Sequence, residues 1–560
     1  MSFLKDSKTD KQLADIRQKE AEDLAKILAL RHGVEYMNLS AITINPSAVR
    51  IVDEKTARAG QLVIFHDENR VLHLGYLTAQ NPLLAQTVND LERKGYKVIP
   101  FMVSANSLEA AWETYKEVSN AKAEVAGVIN VSDDVLTTYL SKITSVLDIK
   151  AFIEDAFRSG NPHATSTVAE IIMAGAVATG VSDIHLESEK EVARLRFRID
   201  GILQDVLDFA PEEYRRILSR IKLLAGVKLN IAREAQDGRF TIRLQGIDVE
   251  VRASFLPSSY MEGIVLRILN PKSISVSMEE LGMDERLYEI MKGMIEKPNG
   301  LILTTGPTGS GKTTTLYAFL KKVRNPQVKI ITIEDPVEYH LEGIAQTQVD
   351  NKGTGYRFAD GLRAAMRQDP DIIMVGEIRD EETAGVAIDA ALTGHLVFST
   401  LHTNSAAGAI PRLIDLGVNP KVIGSALNIS LAQRLVRKLC PFCKEAYLPV
   451  ESEKETFDRF FSHLQKLRPE LTYPEHLYRP VGCDKCTLTG YKGRVSIYEG
   501  ILMDAAVEAA IRENPGERDI REASVAQGIL DMRQDGVLKV IRGVTSLEEV
   551  DRIIGLGDLR

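Results

Sequence analysis

A multidomain α/β protein built round a nucleotide-binding sheet is predicted by three observations. The chain has 560 residues, more than one hydrophobic core supports, so three or four domains are expected. The octapeptide Gly306-Pro307-Thr308-Gly309-Ser310-Gly311-Lys312-Thr313 matches the phosphate-loop pattern G-x-x-x-x-G-K-[ST] at every fixed position. Beyond it, the apolar runs Ile330 to Ile333, Asp371 to Val375 and His395 to Leu401 alternate with helical stretches. That alternation predicts a sheet of RecA type covered by helices.

The elements follow in chain order. Residues 1–118 read as a small α/β domain. Leu24, Ile27, Leu28 and Leu30 mark a helix, Leu62 to Phe65 a strand and Leu83 to Lys94 a further helix. Residues 119–162 dilute their apolar pattern with Ser, Thr, Asp and Asn and end in Ser159-Gly160-Asn161-Pro162, which predicts a helical linker with a flexible end. Residues 163–272 open with a helix at Thr167 to Ala178 and continue with period-two strands, Val192 to Ile199 and Thr241 to Arg252, a second α+β domain closed by Asn270-Pro271. Residues 273–432 carry the phosphate loop between the strand Gly300 to Thr305 and the helix Thr313 to Val323. From Gln433 to Arg560 two Cys-x-x-Cys knuckles and a helical tail finish the chain.

Composition excludes several classes. The longest weakly polar stretch, Val168 to Val181, is too short to span a bilayer, and Met1 to Asp23 lacks the apolar core of a signal peptide, so a cytoplasmic location is expected. A net charge of −9 with one Trp argues against a nucleic-acid-coating surface. The four cysteines form two pairs, Cys440/Cys443 and Cys483/Cys486, which in a reducing compartment predict a Zn²⁺ site rather than disulfides. Four thiolates leave no open coordination position, so that metal is structural.

The chemistry lies around the loop. Backbone N–H groups of Gly306 to Thr313, with Thr314 opening the helix, suit phosphates; Lys312 suits the β/γ-phosphates and Thr313 suits Mg²⁺. The segment Ile333-Glu334-Asp335-Pro336-Val337-Glu338-Tyr339 puts three carboxylates at a strand end. Asp371 to Asp380 is a hydrophobic strand ending in Gly376-Glu377, a Walker B strand short of its usual acidic pair. Glu377 is then left to serve the Mg²⁺ shell, and Glu338 or Glu334 is the candidate base for the attacking water. In Thr393 to Asn404, His395 and His402 are an odd number apart and face opposite sides of one strand, so they are not joint metal ligands. His402, at the expected strand end, is the better candidate to sense the terminal phosphate.

In order and spacing, GPTGSGKT, ITIEDPVEY, DIIMVGEIRD and GHLVFSTLHTN resemble the Walker A, Asp, Walker B and His boxes of the secretion ATPase superfamily. Ser182 to Glu187, Arg196 to Gly201 and Gln236 to Arg239 are similar to the PAS-like domain that precedes the motor in that family. Gln433 to Arg437, the tetracysteine and Thr489 to Arg494 look like its assembly ATPases, which extend type IV pili or drive type II secretion; retraction motors lack both the tetracysteine and a large first domain. The resemblance implies a homo-hexameric ATPase using ATP, Mg²⁺ and Zn²⁺, docked through its first domain to an inner-membrane platform protein and cytoplasmic assembly proteins. It further implies that Arg196, Arg198, Arg220 and Arg267 complete the nucleotide site. Arg194 shares the face of Arg196 and Arg198, and Arg357, Arg363 and Arg367 are further candidates for phosphate or subunit contacts. The chain departs from the pattern at Arg233-Glu234-Ala235, at Met261-Glu262-Gly263, and in the long interval Lys444 to Gly482, which holds a charged helical insertion at Glu451 to Leu467. The repeated Arg-Leu-Gly motif that binds cyclic di-GMP in some relatives is missing, Leu30-Arg31-His32-Gly33 being the nearest, so no such ligand is expected. A nucleic-acid translocase, the competing class, predicts DNA-stimulated turnover, and the acidic composition gives it little support.

Overall fold

Residues 21–39, 44, 46–49, 51–68, 70–119, 128–131, 140–159, 164–244, 247–270, 276–350, 355–512 and 516–557 are described in a computed structural model of the chain. They fall into two units, Met1–Val128 and Ile129–Arg560. The expected breakpoints Gly160-Asn161-Pro162 and Pro271, and most of the charged N-terminal segment, lie outside the described residues.

In the first unit the strands Glu35–Tyr36, Lys97–Met102, Val71–Tyr76 and Leu62–Glu68 form a sheet in that order. The helix Glu54–Gly60 starts because Asp53 accepts the Thr56 N–H, and Pro82–Arg93 because Asn81 caps it and Pro82 needs no donor at the first turn. The helix Ala105–Ser119 anchors to the sheet by hydrogen bonds as well as by packing. Trp112 Nε1 donates to Leu62 O at 3.1 Å, and Tyr115 OH donates to Val52 O at 2.8 Å.

The second unit holds two seven-stranded sheets. In the first, the order is Val128–Asn130, Gln236–Leu244, Ile247–Leu256, Gly263–Leu269, Asp183–Ser188, Ala193–Ile199, Ile202–Phe209. The helix Ala164–Ala178 is buried continuously from Val168 to Ala176 because it is covered on more than one side. Gly175 permits the closest approach: a Cβ there would sit 2.8 Å from Ile149 Cδ1. Ile149 belongs to the helix Val146–Arg158, whose Val146, Ile149 and Ile153 share a core with Val168 and Ile172. A helix expected within the linker over 119–162 is present at Val146–Arg158 and packs into this core. The polar residues that suggested a linker are in part the helix cap, since Ser145 and Asp148 bond each other's backbone N–H groups. The single strand expected from Thr241 to Arg252 is also corrected. It is the inner half of a hairpin in which Leu244 faces Ile247 across an antiparallel register.

The second sheet runs Ala345–Gln348, Ile330–Glu334, Ile372–Val375, Leu396–Leu401, Gly300–Thr305, Leu427–Leu439, Tyr491–Leu502. The first six strands are parallel and the last is antiparallel to its neighbour. Every residue of Gly300–Thr305, Ile330–Glu334, Ile372–Val375 and Leu396–Leu401 is buried. Helices cover both faces, which is why these strands read as unbroken apolar runs. All four strands therefore end at one edge, and the loops leaving that edge carry the chemistry.

Candidate active site

The strand Gly300–Thr305 delivers the phosphate loop to the centre of that edge, and the helix Lys312–Val323 leaves it. Gly311 takes φ 91°, which a side chain resists, and a Cβ on Gly306 would collide with Ser310 Oγ at 2.6 Å and Gln433 O at 2.7 Å. Lys312 folds back across the loop, donating to Gly306 O at 2.7 Å and Pro307 O at 3.2 Å. Burial lowers its pKa, Glu377 opposes that change, and Arg434 adds to it. The buried Ser310 Oγ has no hydrogen-bond partner, while Thr313 stays exposed at the first turn. A loop of curled backbone, a free helix N-terminus and an unspent hydroxyl fit a polyphosphate.

The acidic candidates separate by environment. Glu334 is 3% exposed and accepts hydrogen bonds from Tyr317 OH, Thr332 Oγ1 and, at 3.0 Å, Gln346 Nε2. Its carboxylate locks the phosphate-loop helix to the Asp-box strand, and burial followed by Glu334's charge pushes the Tyr317 phenol up. Glu338 sits on the loop beyond, with its side chain 30% exposed, where Arg252 Nη1 approaches Oε1 at 3.5 Å and Arg252 Nη2 donates to Val337 O at 3.0 Å. Glu377 pairs with Arg379 and lies 3.2 Å from His402 Nε2. The ring of His402 is 51% exposed. His395 is held by Ala390 O at 3.1 Å, at the other end of the strand Leu396–Leu401. Six strand residues at about 3.3 Å each put the two histidines roughly 20 Å apart, so His395 is remote from this edge.

The arginines lie on the other sheet. Register puts Arg239, Arg252, Arg267, Asp183 and Arg198 directly opposite one another in a single cross-strand row. Asp183 serves two of them, at 3.1 Å from Arg267 Nε and 3.5 Å from Arg198 Nε. Arg196 pairs with Glu187, Arg194 with Asp208 at 3.1 Å, and Arg220 stands on the helix Pro211–Ala225. Arg239, Arg252 and Arg267 line a cleft of about 870 Å³ whose far wall is Pro336, Val337 and His340 of the Asp box. Arg357 and Arg363 are both drawn to Glu382, at 2.9 and 2.8 Å, and Arg367 ends the helix Phe358–Met366. Sequence reasoning missed Arg239 and Arg252. The alternation Glu250-Arg252-Ser254 in the second strand of the hairpin was the available signal, hidden by treating the hairpin as one strand.

The four cysteine sulfurs lie within 4.8 Å of one another. The Cys440–Cys483, Cys443–Cys486 and Cys483–Cys486 separations are 3.9, 3.7 and 3.7 Å. Tetrahedral Zn²⁺ with bonds of about 2.3 Å requires sulfurs about 3.8 Å apart, so the donor set fits. Burial raises the Cys440 and Cys443 thiols, whereas at Cys486 N–H groups of Cys483 and Gly490 outweigh it and bring the pKa to about 7. The long interval between the knuckles is folded. Its helix Glu451–Leu467 buries Phe457, Phe460, Phe461 and Leu464 against Val537, Leu538 and Val540.

Comparison with known proteins matches residues 162–552 to the family described as type II/IV secretion system protein and residues 32–119 to the MshEN domain. Over 382 residues the chain is 45% identical to type II secretion system protein E of Aeromonas hydrophila, covering 68% of this chain and 74% of that one. It is 45% identical over 386 residues to the type IV pilus assembly ATPase TfpB of Acinetobacter baylyi, covering 69% and 64%. The X-ray structure of the Yersinia pseudotuberculosis ATPase DotB superposes with a TM-score of 0.50 at 17% identity, covering 69% of this chain and 92% of that one, a likeness of fold.

Proposed function

The chain belongs to the type II/IV secretion system protein family and is an ATP hydrolase; from that premise we propose that it is the hexameric motor that drives assembly of a type IV pilus at the inner membrane. The observation that carries a motor reading is the contact of Arg252 with Glu338 and Val337, because it joins an arginine-bearing sheet to the Asp box of the nucleotide edge. In this reading Lys312 and Thr313 hold the phosphates. Mg²⁺, when bound, neutralises charge on the phosphate oxygens, with Thr313 and Glu377 on its side of the site. Glu338 takes the proton of the attacking water, since it is partly exposed whereas the oxygens of Glu334 are engaged by Tyr317, Thr332 and Gln346. His402, beside Glu377, senses the terminal phosphate, and Arg196, Arg198 and Arg267 supply cations from the neighbouring sheet and Arg220 from its helix Pro211–Ala225. Zn²⁺ in the tetracysteine closes the C-terminal region on its folded insertion.

Partners of such a motor are a membrane platform protein and cytoplasmic assembly proteins. No helix among the described residues is long and apolar enough to cross a membrane; in this reading attachment runs through those partners. A second reading, pseudopilus assembly for type II secretion, is favoured by relatives of that name at 43–46% identity from Vibrio cholerae and Pseudomonas aeruginosa. Deleting the gene separates the two. Loss of surface pili with secretion intact supports the pilus, and loss of secreted enzymes with pili intact replaces it by secretion. DNA-stimulated turnover would point instead to the translocase class.

A further inference from the structure

The strand Leu427–Leu439 lies beside the phosphate-loop strand and ends its approach at Gln433 and Arg434, directly behind the loop. Gln433 Nε2 donates to Ser310 O at 2.6 Å. Arg434 reaches in two directions. Its Nη1 donates to Gln433 O at 3.0 Å and lies 3.2 Å from the place a Cβ on Gly306 would occupy, and its Nη2 donates to Asn404 O at 3.0 Å and Asn404 Oδ1 at 3.2 Å. Asn404 is two residues beyond His402, and the intervening Thr403 is tied to Thr305, the last residue of the phosphate-loop strand, by bonds of 2.9 and 3.0 Å. The His402 segment is therefore pinned at two points, and Arg434 is the second.

These contacts form a chain. Arg434 holds Asn404, Asn404 follows His402, His402 meets Glu377, and Lys312 bonds Gly306 O on the loop beside them. Behind Arg434 the charge is balanced by Glu499, which accepts the Ala406 N–H at 2.6 Å and lies 3.9 Å from Arg521. A guanidinium suits this place because its planar fork can satisfy a carbonyl and a side-chain oxygen of one residue while facing a second chain segment; an ammonium on a flexible stem cannot hold that plane.

We propose that Arg434 is a positioning residue for ATP hydrolysis, clamping the His402 segment to the strand behind the phosphate loop so that His402 keeps its place beside Glu377. The clamp rests on the assignment of the Gly306–Thr313 loop as the ATP site. Full-length Arg434→Gln, Arg434→Lys and Asn404→Ala proteins, each checked for melting temperature and zinc content, test it through kcat, KM and the Kd of a fluorescent ATP analogue. Misplacing catalytic groups lowers kcat by roughly 10- to 100-fold in Arg434→Gln while KM and Kd move less than about threefold. Arg434→Lys keeps the charge without the fork and restores little of the loss. Asn404→Ala, which removes one of the two acceptors, costs about fivefold, and the double variant falls no lower than Arg434→Gln alone. Unchanged kcat in Arg434→Gln, or a double-variant loss equal to the product of the singles, overturns the proposal. Failure of the site assignment has a different signature, wild-type turnover in Lys312→Ala.

Discussion

The arginine row faces the Asp box of the nucleotide edge across one cleft, and the two sides are held by opposite means. On the loop side, Glu334 and Ser399 are buried and bonded within the sheet, and Lys312 is gripped by two carbonyls. On the arginine side, Arg267 is 58% exposed and shares a single aspartate with Arg198. Buried polar groups are costly to disturb, whereas an exposed ion pair contributes about 0–1 kcal/mol. The loop side is thus held rigidly, and the arginine side is held by weak, exposed pairs.

The largest effect that would break this contrast is on the loop. Lys312→Ala should cut turnover about 10³-fold, roughly 4 kcal/mol of transition-state stabilisation, measured as kcat/KM with Mg-ATP; a loss under tenfold would move the site elsewhere. Next comes a buried carboxylate far from the cleft, a control for how much the interior tolerates. Glu549 has no exposed side-chain surface and accepts from Arg437 at 2.6 Å and Arg552 at 2.7 Å. Burial alone would raise its pKa, but those two guanidiniums hold it below the ordinary 4.5. A depressed carboxylate stabilises the fold above its unfolded value and loses that contribution as pH falls through the folded one. Glu549→Gln should therefore lower stability by about 3 kcal/mol at pH 7, with the gap in melting temperature closing below pH 4.5. A gap that stays constant as the pH is taken progressively below 4.5 would assign the loss to packing.

Glu338→Gln comes third and sharpens the comparison between two nearby acids. It should lower kcat about 100-fold, near 2.7 kcal/mol, with an unchanged melting temperature, while Glu334→Gln should lower the melting temperature because it breaks a buried network. The reverse pattern in kinetics and calorimetry would exchange their roles. The smallest effect belongs to the arginine row. Arg267→Gln should leave stability within about 0.5 kcal/mol, yet raise KM for ATP severalfold and flatten its salt dependence. Loss of stability instead would make that row a structural seam.

Much of the nucleotide edge is legible in the chain because parallel strands buried on both faces must be apolar runs, and because a phosphate loop needs glycines at stated spacings. Gly300–Thr305, Leu396–Leu401 and the helix Glu451–Leu467 lie within a residue of where pattern alone puts them. The arginine row was only half legible: the resemblance implies Arg198 and Arg267, and the hairpin hides Arg239 and Arg252. Whether Arg252 faces Arg239 depends on a hairpin register across two strands, and a one-residue slip would turn every side chain to the other face. The helical character of 119–162 was read, but the packing of Val146–Arg158 into the core of the second unit was not.

By itself the sequence determined the identity of the chemistry: a lysine and threonine after a glycine loop, acids at strand ends, and four thiols in pairs. Those are local properties, set by residue type and by spacings of a few residues. The tertiary structure decided which groups cooperate. It engaged Glu334 and left Glu338 accessible, put His402 beside Glu377 and His395 at the far end of the strand, and brought Arg434 behind the loop. Those choices depend on contacts between residues tens to hundreds of positions apart, and burial and distance, which set the charge and reach of each group, exist only once those contacts form.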